Sequence, residues 1–500
     1  MLSFSSALLW LLLFAGGFAA LSVAYSRREQ GSLEDYVVAR NSQGSIATLL
    51  TLMASTLGAW ILFSPAQAAT WGGLSAVIGY AIGAMSPRLL MIPLGTRMRR
   101  LVPRGHTLTE FLMARYGRPM YALVLCVMVF FLFISVAAEI TAIAKLVAMI
   151  APVPLWLTAA IVMGSTLLYT LYGGLRSSMF TDRLQMIIIV PLLVTLLILG
   201  WNAAGGAAPV IAGLQERAPR LLEPGDATGV KAGLTFFVAI LLTGLFHQGN
   251  WQRVYAARDV RTMRNGFLLG GVLVVPFIFL LGLFGLAFVG LGLPGDTSTA
   301  LFGVLQPYAP PWFVVALIPL GLALVMSTAD TAISAASSLI AIDMQRLVPR
   351  ASPDTMKKLA RRVVPIMALP VLLVAAQGYS VLYLFLLADL LCSAVAFPTF
   401  YGLFSRRPDG FTATTASICG LAAGLACFPA PGDKPDFLLE SFLLAAAVPV
   451  IVVFVLGALR KTPWFDFAAL GAVGATTQPL PGDGDGNVRA SARAPSAAEA

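Results

Sequence analysis

The chain has 500 residues, 58% hydrophobic and only 11% charged, with a mean hydropathy of +0.85 and a formal net charge of +10. Soluble domains carry about 25% charged residues, and here apolar runs long enough to span a bilayer as helices recur from end to end, which excludes a soluble protein. The runs are solid rather than alternating, which excludes a porin-like barrel and leaves an all-α polytopic protein of the lipid bilayer.

The first run, Ala7 to Tyr25, has no basic front end, since residues 1–6 carry no charged side chain. It reads as a retained helix over 1–26 and not as a cleaved signal. Spans are then expected near 45–68, 72–94, 120–149, 154–171, 184–204, 230–250, 266–292, 312–341, 363–378, 381–402, 412–429 and 437–458, about thirteen helices with the first. With the N-terminus outside, one set of loops holds most of the arginines, among them Arg27, Arg28, Arg97, Arg99, Arg100, Arg176, Arg183, Arg258, Arg361 and Arg460. The opposite set holds only Arg217, Arg220, Lys231 and Lys434. This asymmetry predicts a cytoplasmic (inner) membrane protein with its N-terminus outside and its C-terminus in the cytoplasm. The positive charge is thereby topological and calls for no nucleic acid. Residues 463–500 form an expected cytoplasmic tail, with the composition of disorder from about residue 476.

Two spans are interrupted. The stretch "STLGAWILFSPAQ" breaks the second helix around Gly58 and Pro65, and "LLTGLFHQGNWQR" breaks the seventh around Gly244 and Gly249. These helices lie five apart and run in opposite directions. Interrupted helices in opposed repeats point to a secondary transporter with its site near the midplane. Cys126, Cys392, Cys419 and Cys427 have no metal-like spacing and read as packing residues, and His106 and His247 cannot form a metal cluster between them.

The segment "VMSTADTAISAASS" (325–338) puts six hydroxyls and an aspartate inside an apolar helix. Thr331, Ser334, Ser337 and Ser338 read as close-packing residues between helices. Ser327 and Thr328 are adjacent, and beside carbonyls freed by a broken helix they offer the oxygen shell that a small cation wants. Asp330 is an ionisable intramembrane residue, hence either functional or hydrogen-bonded to its neighbours.

At this point the residues resemble the sodium:solute symporter family. "LVMSTADTAISAASSLIAIDM" is similar to the family's eighth core helix, and "LYGGLRSSMFTDRLQ" (171–185) to its signature between the fourth and fifth. "NWQRVYAARD" (250–259) looks like the end of the sixth core helix, and "GHTLTEFLMARYG" (105–117) like the loop before the third. The resemblance runs from about Asp35 to Leu459. It implies a LeuT-type fold: an inverted 5+5 repeat core over 45–402, one helix before it and two after it over 403–462.

The same resemblance implies a sodium site made by the Ser327 and Thr328 hydroxyls with the carbonyls of Leu324, Met53 and Thr56. It also implies a role for Asp182 on the sodium path, unless Asp182 simply pairs with Arg176 or Arg183. Ser55 stands where similar sodium–proline symporters carry an aspartate, which removes an acidic group near the cation path. By the fold, the solute site lies between the broken helices. Ser55, Gly58 and Trp60 are candidates on one, and Thr243, Phe246, His247, Gln248 and Trp251 on the other. Trp60 reads equally as a stacking surface or a lipid-facing anchor, and His247 as a polar contact or a satisfied core histidine. Glu139 is a further candidate for a polar or amine group, whereas Lys145 and Arg88 are expected to snorkel toward the membrane surfaces.

The expected activity is sodium-coupled symport of a small polar organic solute into the cytoplasm, with sodium as coupling ion and no catalytic residues. The alternatives are proton coupling on the same fold, through Asp330, Asp182 or Glu139, or a membrane sensor module acting with a partner chain. There is no nucleophile–base pair and no phosphate loop, so neither an enzyme nor an ATP-driven pump is expected. The solute's identity and the oligomeric state are not legible.

Overall fold

The computed structural model describes residues 2–28, 32–347, 353–430, 436–460 and 463–473. The expected disordered tail beyond residue 476 lies outside them. Among the described residues every regular element is helical, apart from one isolated bridge between Gln43 and Ala257. In chain order the helices are α1 (Phe4–Arg28), α2 (Leu33–Val37), α3 (Ser45–Ala54), α4 (Ser64–Leu101), α5 (Leu108–Tyr116), α6 (Arg118–Ile150), α7 (Leu155–Ala203), α8 (Ala207–Arg217) and α9 (Ala227–Thr243). They continue as α10 (Gln248–Ala256), α11 (Val260–Gly290), α12 (Ala300–Leu305), α13 (Pro311–Leu347), α14 (Pro353–Val363), α15 (Ala368–Gln377), α16 (Val381–Tyr401), α17 (Gly410–Leu425) and α18 (Leu438–Leu459).

Nine helical stretches among the described residues, one of them Lys358–Gln377 running from α14 into α15, are long and apolar enough to cross a membrane, or ten if α9 and α10 make one bent span. This is fewer than the thirteen expected, for a geometric reason. α4 and α7, of 38 and 49 residues, each run through the boundary between two expected spans, while α3 and α17 are only 10 and 16 residues long. Each long helix is divided by a glycine outside helical geometry, Gly73 (φ 63°, ψ −157°) and Gly174 (φ 62°, ψ −154°). A side chain there would meet the strain of positive φ, and at Gly174 also the ring of Tyr36, 2.4 Å from an added Cβ.

The interruptions fall where the sequence puts them. α3 stops at Ala54, the chain unwinds through Ser55–Gly58, and a single 3₁₀ turn (Ala59–Leu62) leads into α4, whose first turn accommodates Pro65. α9 stops at Thr243, and α10 resumes after four residues at an angle of 56°. The His247 side chain caps the new helix by accepting from the Gly249 N–H at 3.1 Å. The far ends of the two broken helices are tied together, because Gln43 donates to the Ala256 carbonyl and accepts from the Arg258 N–H, both at 2.9 Å.

α13 is the central element: 78% of its most apolar stretch is buried, against 33% for α1 and 22% for α18. It packs chiefly on α7 and α6, and α4 on α11 and α9. The periphery is apolar. Leu9, Leu12, Leu13, Ile451, Phe454 and Val455 are all exposed on α1 and α18, as lipid contact requires.

Candidate functional site

The unwound segments of α3–α4 and α9–α10 flank a central cavity of about 140 Å³. Its wall takes Ser55, Thr56 and Trp60 from the first break and Thr243, Gly244, His247 and Asn250 from the second. α4 adds Tyr80 and Arg88, α6 adds Phe131, Ser135 and Glu139, α13 adds Thr328, and α16 adds Phe385 and Asp389.

Several expected solute residues therefore come together. Trp60 is no lipid anchor: its indole N–H donates to the Thr56 carbonyl at 3.0 Å, and its ring stacks on Tyr80 at 5.7 Å between centroids. Glu139 accepts from the Ala59 N–H at 2.8 Å, at the start of the 3₁₀ turn. Gly58 makes this approach feasible, since a Cβ there would lie 2.1 Å from Glu139 Oε1. His247 accepts at Nδ1, so the neutral ring carries its proton on Nε2, and it meets Phe131 edge-on at 5.7 Å. Thr243 donates to the Ala239 carbonyl at 2.7 Å.

Four candidates are not part of the cavity wall: Gly58, which instead makes room for Glu139, and the three side chains that follow. Phe246 is buried against Phe400. Trp251 donates to the Leu245 carbonyl at 2.8 Å and stacks on the same Phe400. Gln248 clamps the connection before α5, donating to the His106 carbonyl at 2.9 Å and accepting from the Leu108 N–H at 3.3 Å. The cause is helical phase: His247 and Asn250 sit one turn apart on the cavity face of α10, and Gln248 and Trp251 occupy the next face round.

Where α13 meets the first break, the Ser327 hydroxyl lies 3.0 Å from the Ala54 carbonyl and 2.9 Å from that of Leu324. Thr328 Oγ1 lies 3.0 Å from the Leu324 carbonyl. The carbonyls of Met53 and Thr56 flank Ala54 and accept from N–H groups of the unwound segment, Met53 from Thr56 and Leu57, and Thr56 from Gly58. The Ser327 and Thr328 hydroxyls and the carbonyls of Leu324 and Ala54 converge here, the donor set that suits a hard monovalent cation. Thr328 also lines the cavity, so the two regions share a residue.

Next to this contact lies a buried polar network. Asp182 accepts from Arg253 at 3.0 Å and from the Thr51 hydroxyl. It pairs with neither Arg176, which bridges to Asp35 at 2.8 Å, nor Arg183, which bonds the Met179 carbonyl. Arg253 further donates to Thr331 Oγ1 at 2.9 Å, Thr51 Oγ1 at 3.1 Å and the Gly249 carbonyl at 3.1 Å. Asp330 accepts from Ser178 at 2.7 Å, Tyr169 at 2.9 Å and Thr181 at 3.1 Å. The network joins α3, α7, α10 and α13. Thr331 thus serves it, while the Ser337 and Ser338 hydroxyls donate to carbonyls of their own helix, those of Ile333 and Ala335.

Two residues that the sequence reading missed stand out. Arg88 does not snorkel: it is 8% exposed and lines the cavity. It donates to the Ala84 carbonyl at 2.5 Å and to the Thr56 hydroxyl. Asp389 lines the same cavity from α16. Both are ionisable residues inside apolar helices, a signal the sequence carries openly. Lys145, by contrast, does reach outward, to Ser298 at 3.2 Å.

Comparison with known proteins agrees with this architecture. The chain is 26% identical over 382 residues to the spermidine transporter DUR31 of Candida albicans, covering 74% of this chain and 70% of that one. It is 26% identical over 430 residues to the sodium/pantothenate symporter of Escherichia coli, covering 79% and 85% respectively. A solved Na+-coupled sialic acid symporter in a substrate-bound outward-open state superposes with a TM-score of 0.74 over 91% of this chain and 98% of that one, at 18% identity. The fold is thus of the LeuT type. Residues 36–420 match the sodium:solute symporter family, and the chain belongs to that family.

Proposed function

We propose that this chain carries a small polar organic solute into the cytoplasm in symport with sodium. The observation that carries the reading is the position of Thr328, which belongs both to the hydroxyl–carbonyl cluster with Ser327, Leu324 and Ala54 and to the wall of the central cavity. In this reading sodium binds between the Ser327 and Thr328 hydroxyls and the carbonyls of Leu324 and the first break, at Met53, Ala54 and Thr56. The ion fixes the side of the cavity that the solute then meets. Each ligand favours the same closed arrangement and so raises the other's affinity. The Arg253–Asp182–Thr331 network holds α3, α7, α10 and α13 together on the side of the Gln43–Ala257 bridge, which we take as cytoplasmic from the arginine asymmetry of the loops. Opening to that side requires these bonds to part, and Asp182 then borders the path by which sodium leaves. The transport core is taken as residues 45–402, flanked by one helix before it and two after it.

The test is thermal unfolding of the purified protein in sodium and in potassium, beside Ser327→Ala. A ligand bound only to the folded state stabilises it by RT ln(1 + [L]/Kd). Sodium should raise the melting temperature of the natural protein and leave that of Ser327→Ala unmoved. Equal curves in sodium and potassium for the natural protein would overturn sodium coupling and turn the search to protons.

A further inference from the structure

We infer that the solute of the central cavity is a small organic carboxylate, and that Arg88 is the residue that binds its charge. The inference rests on the symport reading and deepens it. Arg88 faces the cavity from α4 with 8% of its surface exposed, and among the described residues no carboxylate lies within ion-pair reach of it. Its hydrogen-bond partners among the described residues are both neutral, the Ala84 carbonyl and the Thr56 hydroxyl, and its Nε–H has none there. A guanidinium cannot shed its proton, so a buried one calls for an anion.

The cavity's two acidic residues do not remove this demand. Glu139 spends its Oε2 on the Ala59 N–H, and a buried carboxyl group has the option of taking up a proton, which arginine lacks. Arg88 is therefore the cavity's one permanent charge among the described residues, and its planar fork matches a carboxylate. Asp389 and the His247 Nε2 side of the cavity remain for a hydroxyl or amino group elsewhere on the solute. A cavity of about 140 Å³ suits a small solute.

The experiment is a melting screen of the full chain at fixed saturating sodium. Propionate, lactate and pyruvate are each compared with propionamide, lactamide and pyruvamide, together with urea, glucose and spermidine. At least one carboxylate should raise the melting temperature while its amide does not. Arg88→Gln should weaken the apparent affinity for that carboxylate at least about tenfold, and Arg88→Lys should fall between the two. Protection by a neutral or cationic solute alone, no protection by any carboxylate, or full carboxylate protection in Arg88→Gln would each overturn the assignment. Should Arg88→Gln not fold, the comparison of each acid with its amide on the natural protein still decides. Loss of the sodium response in the natural protein would instead sink the symport reading, so the two failures are distinct.

Discussion

Arg253 of α10 and Asp182 of α7 meet at 3.0 Å with side chains 1% and 0% exposed. Removing one member of such a pair leaves an uncompensated buried charge, at a cost of about 3–5 kcal/mol. Arg253→Gln and Asp182→Asn should each destabilise the protein by roughly that amount. The double variant should lose clearly less than the sum, because neither orphan charge remains. Unfolding midpoints of the four proteins check this. Simple additivity would mean that the pair acts through something other than direct charge compensation.

Thr328 yields a second expectation. Its hydroxyl serves the oxygen cluster near Ala54 and its side chain serves the cavity. Thr328→Val keeps the volume but removes the oxygen, so it should abolish the sodium-dependent rise in melting temperature and weaken solute-dependent stabilisation as well. Thr328→Ser should retain most of both. At a sodium concentration 100 times Kd, the stabilisation at stake is about 2.7 kcal/mol. A Thr328→Val protein that still responds to sodium would detach this hydroxyl from the cation site.

Gly58 presents a steric test of the first break. A methyl group there would enter the space of Glu139 Oε1, so Gly58→Ala must push the carboxylate off the Ala59 N–H. Overpacking of this kind costs about 1–3 kcal/mol. The variant should fold but transport poorly, and Glu139→Asp, which draws the carboxylate back by one methylene, should partly restore uptake in Gly58→Ala. Uptake into proteoliposomes in a sodium gradient reads this out. Unimpaired uptake by Gly58→Ala would show that the Glu139–Ala59 bond is dispensable.

Sequence and structure agree where chemistry contrasts with its surroundings. Hydroxyls and an aspartate in an apolar helix mark Ser327, Thr328 and Asp330, and Gly and Pro mark both breaks. What stays hidden depends on helical phase after a break. Nothing in "HQGNWQR" tells which face of α10 looks inward, so Gln248 and Trp251 are taken for cavity residues while Asn250 is passed over. Arg88 is misread for a related reason. The sequence places it near the end of an expected span, where snorkelling suffices, whereas α4 continues to Leu101 and leaves residue 88 deep inside. The partner of Asp182 comes from 71 residues away, beyond what local spacing reveals.

His106 gives a pH dependence outside the membrane-spanning helices. It is 3% exposed in the connection between α4 and α5, with Nε2 at 2.5 Å from Glu34 Oε2 and Nδ1 at 3.5 Å from Glu110 Oε2. Burial pulls its pKa down, but the two carboxylates outweigh that and lift it to about 9. The sign follows from comparison with the unfolded value of about 6.5. The stabilisation is fully present below about pH 6.5 and is lost as pH rises through about 9. Glu34 and Glu110 are both held below the ordinary glutamate value: burial opposes this, and contacts with His106 prevail. Their contribution is present above about pH 4.5 and fades as pH falls through their lowered folded values. The natural protein should therefore lose on the order of 2–3 kcal/mol between about pH 6.5 and 9.5 relative to His106→Gln. Melting temperatures of both proteins across that window measure the difference. A constant gap from pH 6.5 to 9.5 would show that the imidazole is neutral in the folded protein, with its single N–H serving one glutamate and not both.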